Sequence, residues 1–345
     1  MASHIPSLSV ALDRFTNMFS QPDNTKPQVV VVGSGWGASS FIDDIDRTKY
    51  KVKVISTSDA RLNQPRMISD LTPSYKRLKI TPILDTCVSV NKIDRTLVGI
   101  KSTYNYDYLV VAVGSEPNDF NTKGVAEHCL MFKSAEHLDQ LKSRIIDQTH
   151  VTVIGAGPTG IELAFKLQLL GHTVTLFEAA GTVLPGFSMQ MQAETYKQLE
   201  DRKITVKLNT KITEITESSI ITPIDILPRD KVTIWTCGIK PVAFARAMAP
   251  NGRAFTTNGF LMADKNIYAI GDVVAGYGPP TAQNAKQQGA FLAHHFNNNF
   301  EGKSPYKYNE KGRVIDTGSG LIVEYNGKLL NLPGIFRSVF YCIAD

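Results

Sequence analysis

The sequence predicts an α/β fold with two βαβ units, and three observations predict it. Two short apolar strands, Val29–Val32 and Val151–Ile154, each run straight into a glycine-rich turn. A helical pattern follows each turn, and a further strand, Lys51–Ser56 or Thr173–Phe177, follows each helix. The same order therefore occurs twice, about 120 residues apart, in a chain of 345 residues. That length suits two domains, and 43% hydrophobic with 20% charged residues gives an ordinary globular composition with material for a sizeable core.

Taken in order, residues 1–27 read as an appendage. Leu8, Ala11, Leu12, Phe15, Met18 and Phe19 recur at helical spacing, so Ser7–Phe19 predicts a short amphipathic helix, lying on the protein's own core or on a membrane surface. A polar linker, Gln21–Pro27, follows. Val29–Val32 is apolar at every position, as a strand covered on both faces must be. Helical spacing runs through Ser39–Ile45, and Tyr108–Val113 predicts another buried strand. In the second unit the helix Thr159–Leu170 stops at Gly171, a residue suited to a left-handed cap. A helix around Ser188–Glu200, short strands between Ile204 and Ile221, and strands at Val232–Thr236 and Ile267–Ile270 come next. The end of the chain predicts a hairpin around Glu324–Lys328 and an apolar tail.

A strand ending in G-x-G-x-x-G and opening a helix suits a dinucleotide. The first glycine makes the turn, the second admits a pyrophosphate, and the third lets helix and strand touch. The free N–H groups and positive end of the helix then meet the phosphates. In the second unit these positions are Gly155, Gly157 and Gly160, with Pro158 and Thr159 at the start of the helix. Glu178, 23 residues after Gly155, ends the next strand, where a carboxylate accepts both ribose hydroxyls of NADH and repels the 2′-phosphate of NADPH. The first unit offers Gly33, Gly35, Trp36, Gly37 and Ala38, and its N-terminal place favours FAD. Its strand ends in Ser56-Thr57-Ser58, so hydroxyls or backbone would hold the adenosine ribose there. In either turn, glycines serving packing alone are the other reading.

These features resemble the two-dinucleotide-binding-domain flavoproteins, with their glutathione-reductase-like arrangement, and within them the type II NADH dehydrogenases, the single-subunit, non-pumping NADH:quinone oxidoreductases. The segments that carry the resemblance are 33–41, 106–118, Gly155-Ala-Gly-Pro-Thr-Gly-Ile-Glu-Leu-Ala164, Ala269-Ile-Gly-Asp272 and Pro279-Pro-Thr-Ala-Gln-Asn-Ala-Lys-Gln-Gln-Gly289. The resemblance implies two Rossmann-like domains. A discontinuous FAD-binding domain spans 28–118 and 255–305, an NADH-binding domain spans 119–254, and 306–345 is a short C-terminal segment, a candidate membrane- or quinone-side element. It implies that Asp272, beside Gly271, holds the ribityl or pyrophosphate part of a non-covalent FAD, near Gly114 and Ala282. Capping of the following turn is the other reading of Asp272. Gln283 and Gln287 would line the quinone entry and donate to its carbonyls, surface glutamines being their plainer reading. Glu162 would meet the nicotinamide or supply protons, or else simply favour the positive end of its helix. Gly238 would lie near the nicotinamide.

The implied reaction passes hydride from NADH to flavin and two electrons on to a quinone, at an inner mitochondrial or cytoplasmic membrane face or, failing that, in the cytoplasm; a homodimer is compatible with it. The segment 59–65 is more polar than the family's counterpart, and the C-terminal apolar piece is short. A reductase of a soluble acceptor, related to apoptosis-inducing factor or to ferredoxin reductases, therefore stays open, as does a non-catalytic FAD/NADH-binding protein.

Composition trims the remaining classes. The cysteines, 87, 129, 237 and 342, include no CxxC, which argues against a disulfide reductase and against a metal site, and no metal is expected. A net charge of +5, spread over many lysines, does not point to nucleic acid. His294-His295 reads as a solvated helix end. No stretch approaches the roughly 20 apolar residues of a membrane span, and the start of the chain lacks the apolar core of a secretory signal.

Overall fold

The computed structural model describes residues 26–146, 149–302 and 304–337. The expected helix Ser7–Phe19 and the tail from 338 onward lie outside the described residues.

Two main sheets carry the chain. The first has six strands in the order Met262–Asp264, Ile267–Ala269, Tyr108–Val111, Gln28–Val32, Lys51–Ser56 and Ile83–Leu84. All neighbours are parallel except the first pair. Its central strand explains the unbroken valine run: Val29 and Val31 enter one core, Val30 and Val32 the core on the opposite face. The helices Trp36–Asp44 and Ala282–Asn297 cross on one of these faces, with Phe41 and Phe296 edge to face at 5.5 Å. They meet through glycine: a Cβ on Gly289 would lie 2.3 Å from the Gly37 carbonyl oxygen. This close crossing brings the N-termini of both helices to the same end of the sheet.

The second sheet has five parallel strands in the order Leu130–Met131, Val232–Trp235, His150–Ile154, Thr173–Phe177 and Thr205–Lys207. The helix Pro158–Leu169 covers one face, burying Ile161, Leu163, Phe165 and Leu167. It runs to Leu169, and Gly171 takes the left-handed conformation (φ +91°) that turns the chain into the next strand. The helix Met189–Asp201 is capped by Ser188, whose Oγ accepts from the Met191 N–H. In the first unit the helix starts at Trp36, three residues before its apolar spacing becomes visible, because Gly37 and Ala38 carry almost no side chain and Trp36 stands at the cavity wall rather than in the core.

The expected hairpin is present as Gly320–Tyr325 paired with Lys328–Pro333, turning at Asn326-Gly327, both at positive φ. Arg313–Asp316 adds a third strand. Ile315 and Ile322 enter the second sheet's core, so these strands are part of that half of the molecule.

Candidate functional site

Each glycine of the two turns meets a distinct demand. Gly33 and Gly155 adopt φ of +113° and +105°, and a Cβ on Gly33 would lie 2.3 Å from the Ala112 carbonyl oxygen. A Cβ on Gly160 would lie 1.9 Å from the Gly155 oxygen, so the helix can approach its strand only with glycine there. At Gly35 and Gly157 a Cβ would meet nothing within 4 Å. These two positions are open, each at the N-terminus of a helix, where a phosphate would approach.

Both turns open on one cavity of about 780 Å³. Gly35, Trp36 and Gly37 line it from the first unit, and Gly157, Pro158, Thr159 and Glu162 from the second. Gly114, Gly238, Gly271, Asp272 and Ala282 complete the set of expected residues in its wall. Gly33, Gly155 and Gly160 stand behind the wall as turn and packing residues, and Ala38 is fully buried in the first core.

Asp272 accepts a hydrogen bond from the Ser115 hydroxyl and stands 3.8 Å from Lys133 Nζ. The Gly271 N–H donates to Gln288 Oε1 at 2.6 Å. Glu178 accepts from the Ala156 N–H at 2.7 Å and the Ala180 N–H at 2.8 Å, so its carboxylate is fixed against the second turn. Glu162 accepts from the Asp316 N–H at 3.1 Å. Burial pushes the Glu162 carboxyl up to about 8, with the charge of Asp316 adding to the rise and that hydrogen bond opposing it. At neutral pH it therefore carries its proton. Trp235 is core: its Nε1–H donates to the Asn118 carbonyl at 2.8 Å.

Gln283 and Gln287 are placed differently from their expected use. Neither lines the cavity. Gln283 Oε1 accepts from the Lys311 N–H at 2.7 Å and from Tyr308 Oη at 3.1 Å, and its Nε2 donates to the Gly312 carbonyl at 3.3 Å. Gln287 makes a reciprocal pair with the Asn309 backbone, donating at 2.8 Å and accepting at 3.0 Å. In the structure these amides hold the 308–312 segment and do not line the cavity. Helix geometry puts Ala282 and Ala285 toward the cavity and Gln288 in the interior, and turns 283 and 287 onto the 308–312 segment.

Sequence reasoning missed Lys133, Ser115, Gln288 and Asp316. A signal existed for Gln288, which continues the buried period of Ala285, Gly289 and Leu292. Lys133 and Asp316 arrive from distant parts of the chain with no local motif. The polar segment 59–65 is also accounted for. Arg61 is buried with its guanidinium 3.6 Å above the Trp36 ring, and Asn63 caps the helix Gln64–Asp70 by accepting from the Arg66 N–H. Burial pushes the thiols of Cys87, Cys129 and Cys237 up to about 12, which leaves them poor nucleophiles at neutral pH.

Comparison with known proteins gives the family and the fold. A sequence profile of the pyridine nucleotide-disulphide oxidoreductases matches residues 27–289. The chain is 26% identical over 375 residues to a protein of Schizosaccharomyces pombe named a probable mitochondrial NADH-ubiquinone oxidoreductase, covering 86% of this chain and 68% of that one. It is 28% identical over 348 residues to the external alternative mitochondrial NADH-ubiquinone oxidoreductase of Yarrowia lipolytica, covering 80% of this chain but 60% of that relative. Among solved structures, that of NDH2 from Plasmodium falciparum in complex with NADH superposes with a TM-score of 0.78 at 20% identity, covering 92% of this chain and 94% of that one. This likeness shows the fold, the two-dinucleotide-binding-domain arrangement of flavoprotein reductases.

Proposed function

The chain belongs to the pyridine nucleotide-disulphide oxidoreductase family, and from that premise we propose that it oxidises NADH through a bound FAD and passes the two electrons to a quinone. One observation carries the reading: both glycine-rich turns open on a single cavity, so two dinucleotides held by them would meet inside it. Hydride transfer between cofactors requires such an encounter, and orientation with exclusion of water is the protein's part in it. The relatives named above, NADH-ubiquinone oxidoreductases, support quinone as the acceptor.

In this reading FAD belongs to 28–118 and 255–305, and NADH to 119–254. Gly35 offers the open turn for the FAD pyrophosphate, Gly37 lets the helix pack closely against Ile270 and Ala285, and Asp272 offers a carboxylate to the ribityl hydroxyls of FAD. Gly157, Pro158 and Thr159 receive the NADH pyrophosphate, and Glu178 its ribose. FAD, when bound, supplies the capacity to take two electrons from one partner and return them to another. Ala282 and Ala285 let the positive N-terminus of their helix come close to the cavity. Met67, Ile68 and Phe132 give the wall an apolar stretch that excludes water and suits a quinone ring. Glu162 holds a proton at its carboxyl, available to an acceptor that must gain two. Gln283 and Gln287 act at one remove, by clasping 308–312 to the helix that lines the cavity. A quinone acceptor places the protein at a membrane surface, and no described helix is long and apolar enough to cross one.

The direct test is anaerobic stopped-flow mixing with NADH, then with a short-chain quinone, following visible flavin absorbance. Bleaching and then recovery with quinone is the expected result. Bleaching without recovery would move the acceptor to a soluble partner, and no bleaching would sink the reading. A second expectation concerns the nucleotide. Glu178→Ala removes the carboxylate that favours an unphosphorylated ribose, so NADH should weaken about tenfold or more while NADPH changes less. Steady-state KM values for the two nucleotides check this, and an unaltered preference between them would remove Glu178 from the site.

A further inference from the structure

Lys133 enters the cavity wall from the second half of the molecule. It lies between the strand Leu130–Met131 and the helix Ala135–Arg144, and its main chain is pinned on both sides. Its N–H donates to His137 Nδ1 at 3.2 Å, and its carbonyl accepts from Gln64 Nε2 at 2.7 Å. From this fixed point the side chain reaches the first half. Nζ donates to Ser115 Oγ at 2.7 Å and stands 3.8 Å from Asp272 Oδ2, and the Ser115 hydroxyl donates to the same carboxylate. The Lys133 and Asp272 side chains are only 19% and 20% exposed, so neither charge is left to bulk water. Among the described residues that line the cavity, Lys133 is the only Lys or Arg, whereas Glu162, Asp272 and Asp316 all bring carboxyl groups. Glu162 carries its proton and Asp316 is paired with Arg337 at 2.6 Å. Asp272 has Lys133 and Ser115.

We infer that Lys133 sets the reduction potential of the flavin, by balancing the Asp272 carboxylate and by presenting positive charge to the cavity where reduction adds negative charge. The inference rests on the FAD reading above. Two electrons arriving with one proton leave a flavin one unit more negative, and a fixed cation nearby in a poorly hydrated wall favours that form. Without the ammonium, Asp272 would face the same site unbalanced and oppose the added charge, so both effects of Lys133 act in one direction. Burial draws the lysine pKa down, and the charge and hydrogen bond of the Asp272 carboxylate work against that.

The test compares wild type, Lys133→Gln and Lys133→Arg, each purified with its flavin and equilibrated anaerobically with a reference dye of known potential. Glutamine keeps a donor for Ser115 but loses the charge, and arginine keeps the charge. The Gln variant should shift the equilibrium toward oxidised flavin by about tenfold or more, which is ~30 mV for a two-electron couple; the Arg variant should stay near wild type. A Gln variant that cannot retain flavin beside an Arg variant that retains it at the wild-type potential would also uphold the charge requirement. An unchanged potential in the Gln variant would overturn the inference. So would an Arg variant displaced as far as Gln, or loss of flavin from both, since shape rather than charge would then be decisive. Wild-type protein that carries no flavin at all would instead remove the FAD reading, before any variant is compared.

Discussion

Gly160→Ala should abolish tight NADH binding while leaving the flavin in place. The added Cβ would lie 1.9 Å from the Gly155 carbonyl oxygen and 2.7 Å from Thr236 Oγ1. The threonine cannot retreat without loss, because its hydroxyl bonds the carbonyls of Ile154 and Gly155 at 2.9 and 3.0 Å. Relief therefore requires the helix Pro158–Leu169 to move off the sheet, carrying the N–H groups that receive the pyrophosphate with it. Overpacking of this kind costs about 1–3 kcal/mol, and NADH affinity should fall well beyond tenfold. Gly157→Ala is the control that separates fold from ligand. Its Cβ would meet nothing within 4 Å in the protein, so stability should hold while NADH weakens, the methyl group occupying space the pyrophosphate needs. Denaturant unfolding together with NADH titration of both variants decides the matter. Wild-type unfolding and binding in Gly160→Ala would show that the helix does not need glycine there.

Reoxidation of the flavin by quinone should slow as pH rises through about 8, the value to which burial pushes Glu162. Below that pH the carboxyl holds a proton to give, and above it the proton is gone. Glu162→Gln should slow this step by about 100-fold, in line with the loss of a general acid, and should flatten the profile. A Gln variant with the wild-type profile would assign the pH dependence to another group. Stability provides an independent check with a definite sign. In the unfolded chain Glu162 loses its proton near the ordinary glutamate value of 4.5. Between there and about 8 the folded protein binds the extra proton, so this residue's contribution to stability declines as pH rises through that window and levels off above it. Replacing Glu162 by Gln should remove that decline from a series of unfolding curves.

Much of the fold was legible because periodicity survives wherever side chains are large. The strands Lys51–Ser56 and Thr173–Phe177 begin and end where their sequence predicts. Boundaries slipped where the first turn of a helix carries glycine, alanine and a side chain turned to the cavity, as at the start of the Trp36–Asp44 helix. The two turns were legible because their glycines, close in the chain, shape one local piece of backbone. Asp316 and Lys133 were not, since each reaches the cavity from a different supersecondary unit and only the packed sheets bring them there. The partners of the glutamines were not legible. A motif read as a string of residue types treats 283, 287 and 288 alike, whereas a helix sends neighbours in the chain to different faces. The polar segment 59–65 was a poor guide for a related reason: of its two charges only Asp59 faces solvent, and Arg61 points inward onto Trp36.

The strands at 313–333 have a consequence for the order of assembly. Every strand of the second sheet has been synthesised once residue 235 emerges, yet Ile315 and Ile322 are required to close its core. Arg202 reaches from the end of the Met189–Asp201 helix to Thr317 and to Ser319 Oγ at 2.6 Å, tying the late strands down. The second half therefore lacks part of its core during translation until nearly the whole described chain has been made. Truncation anywhere before the hairpin would leave an open apolar face on the second sheet, and nascent chains stalled there would be natural clients for chaperones.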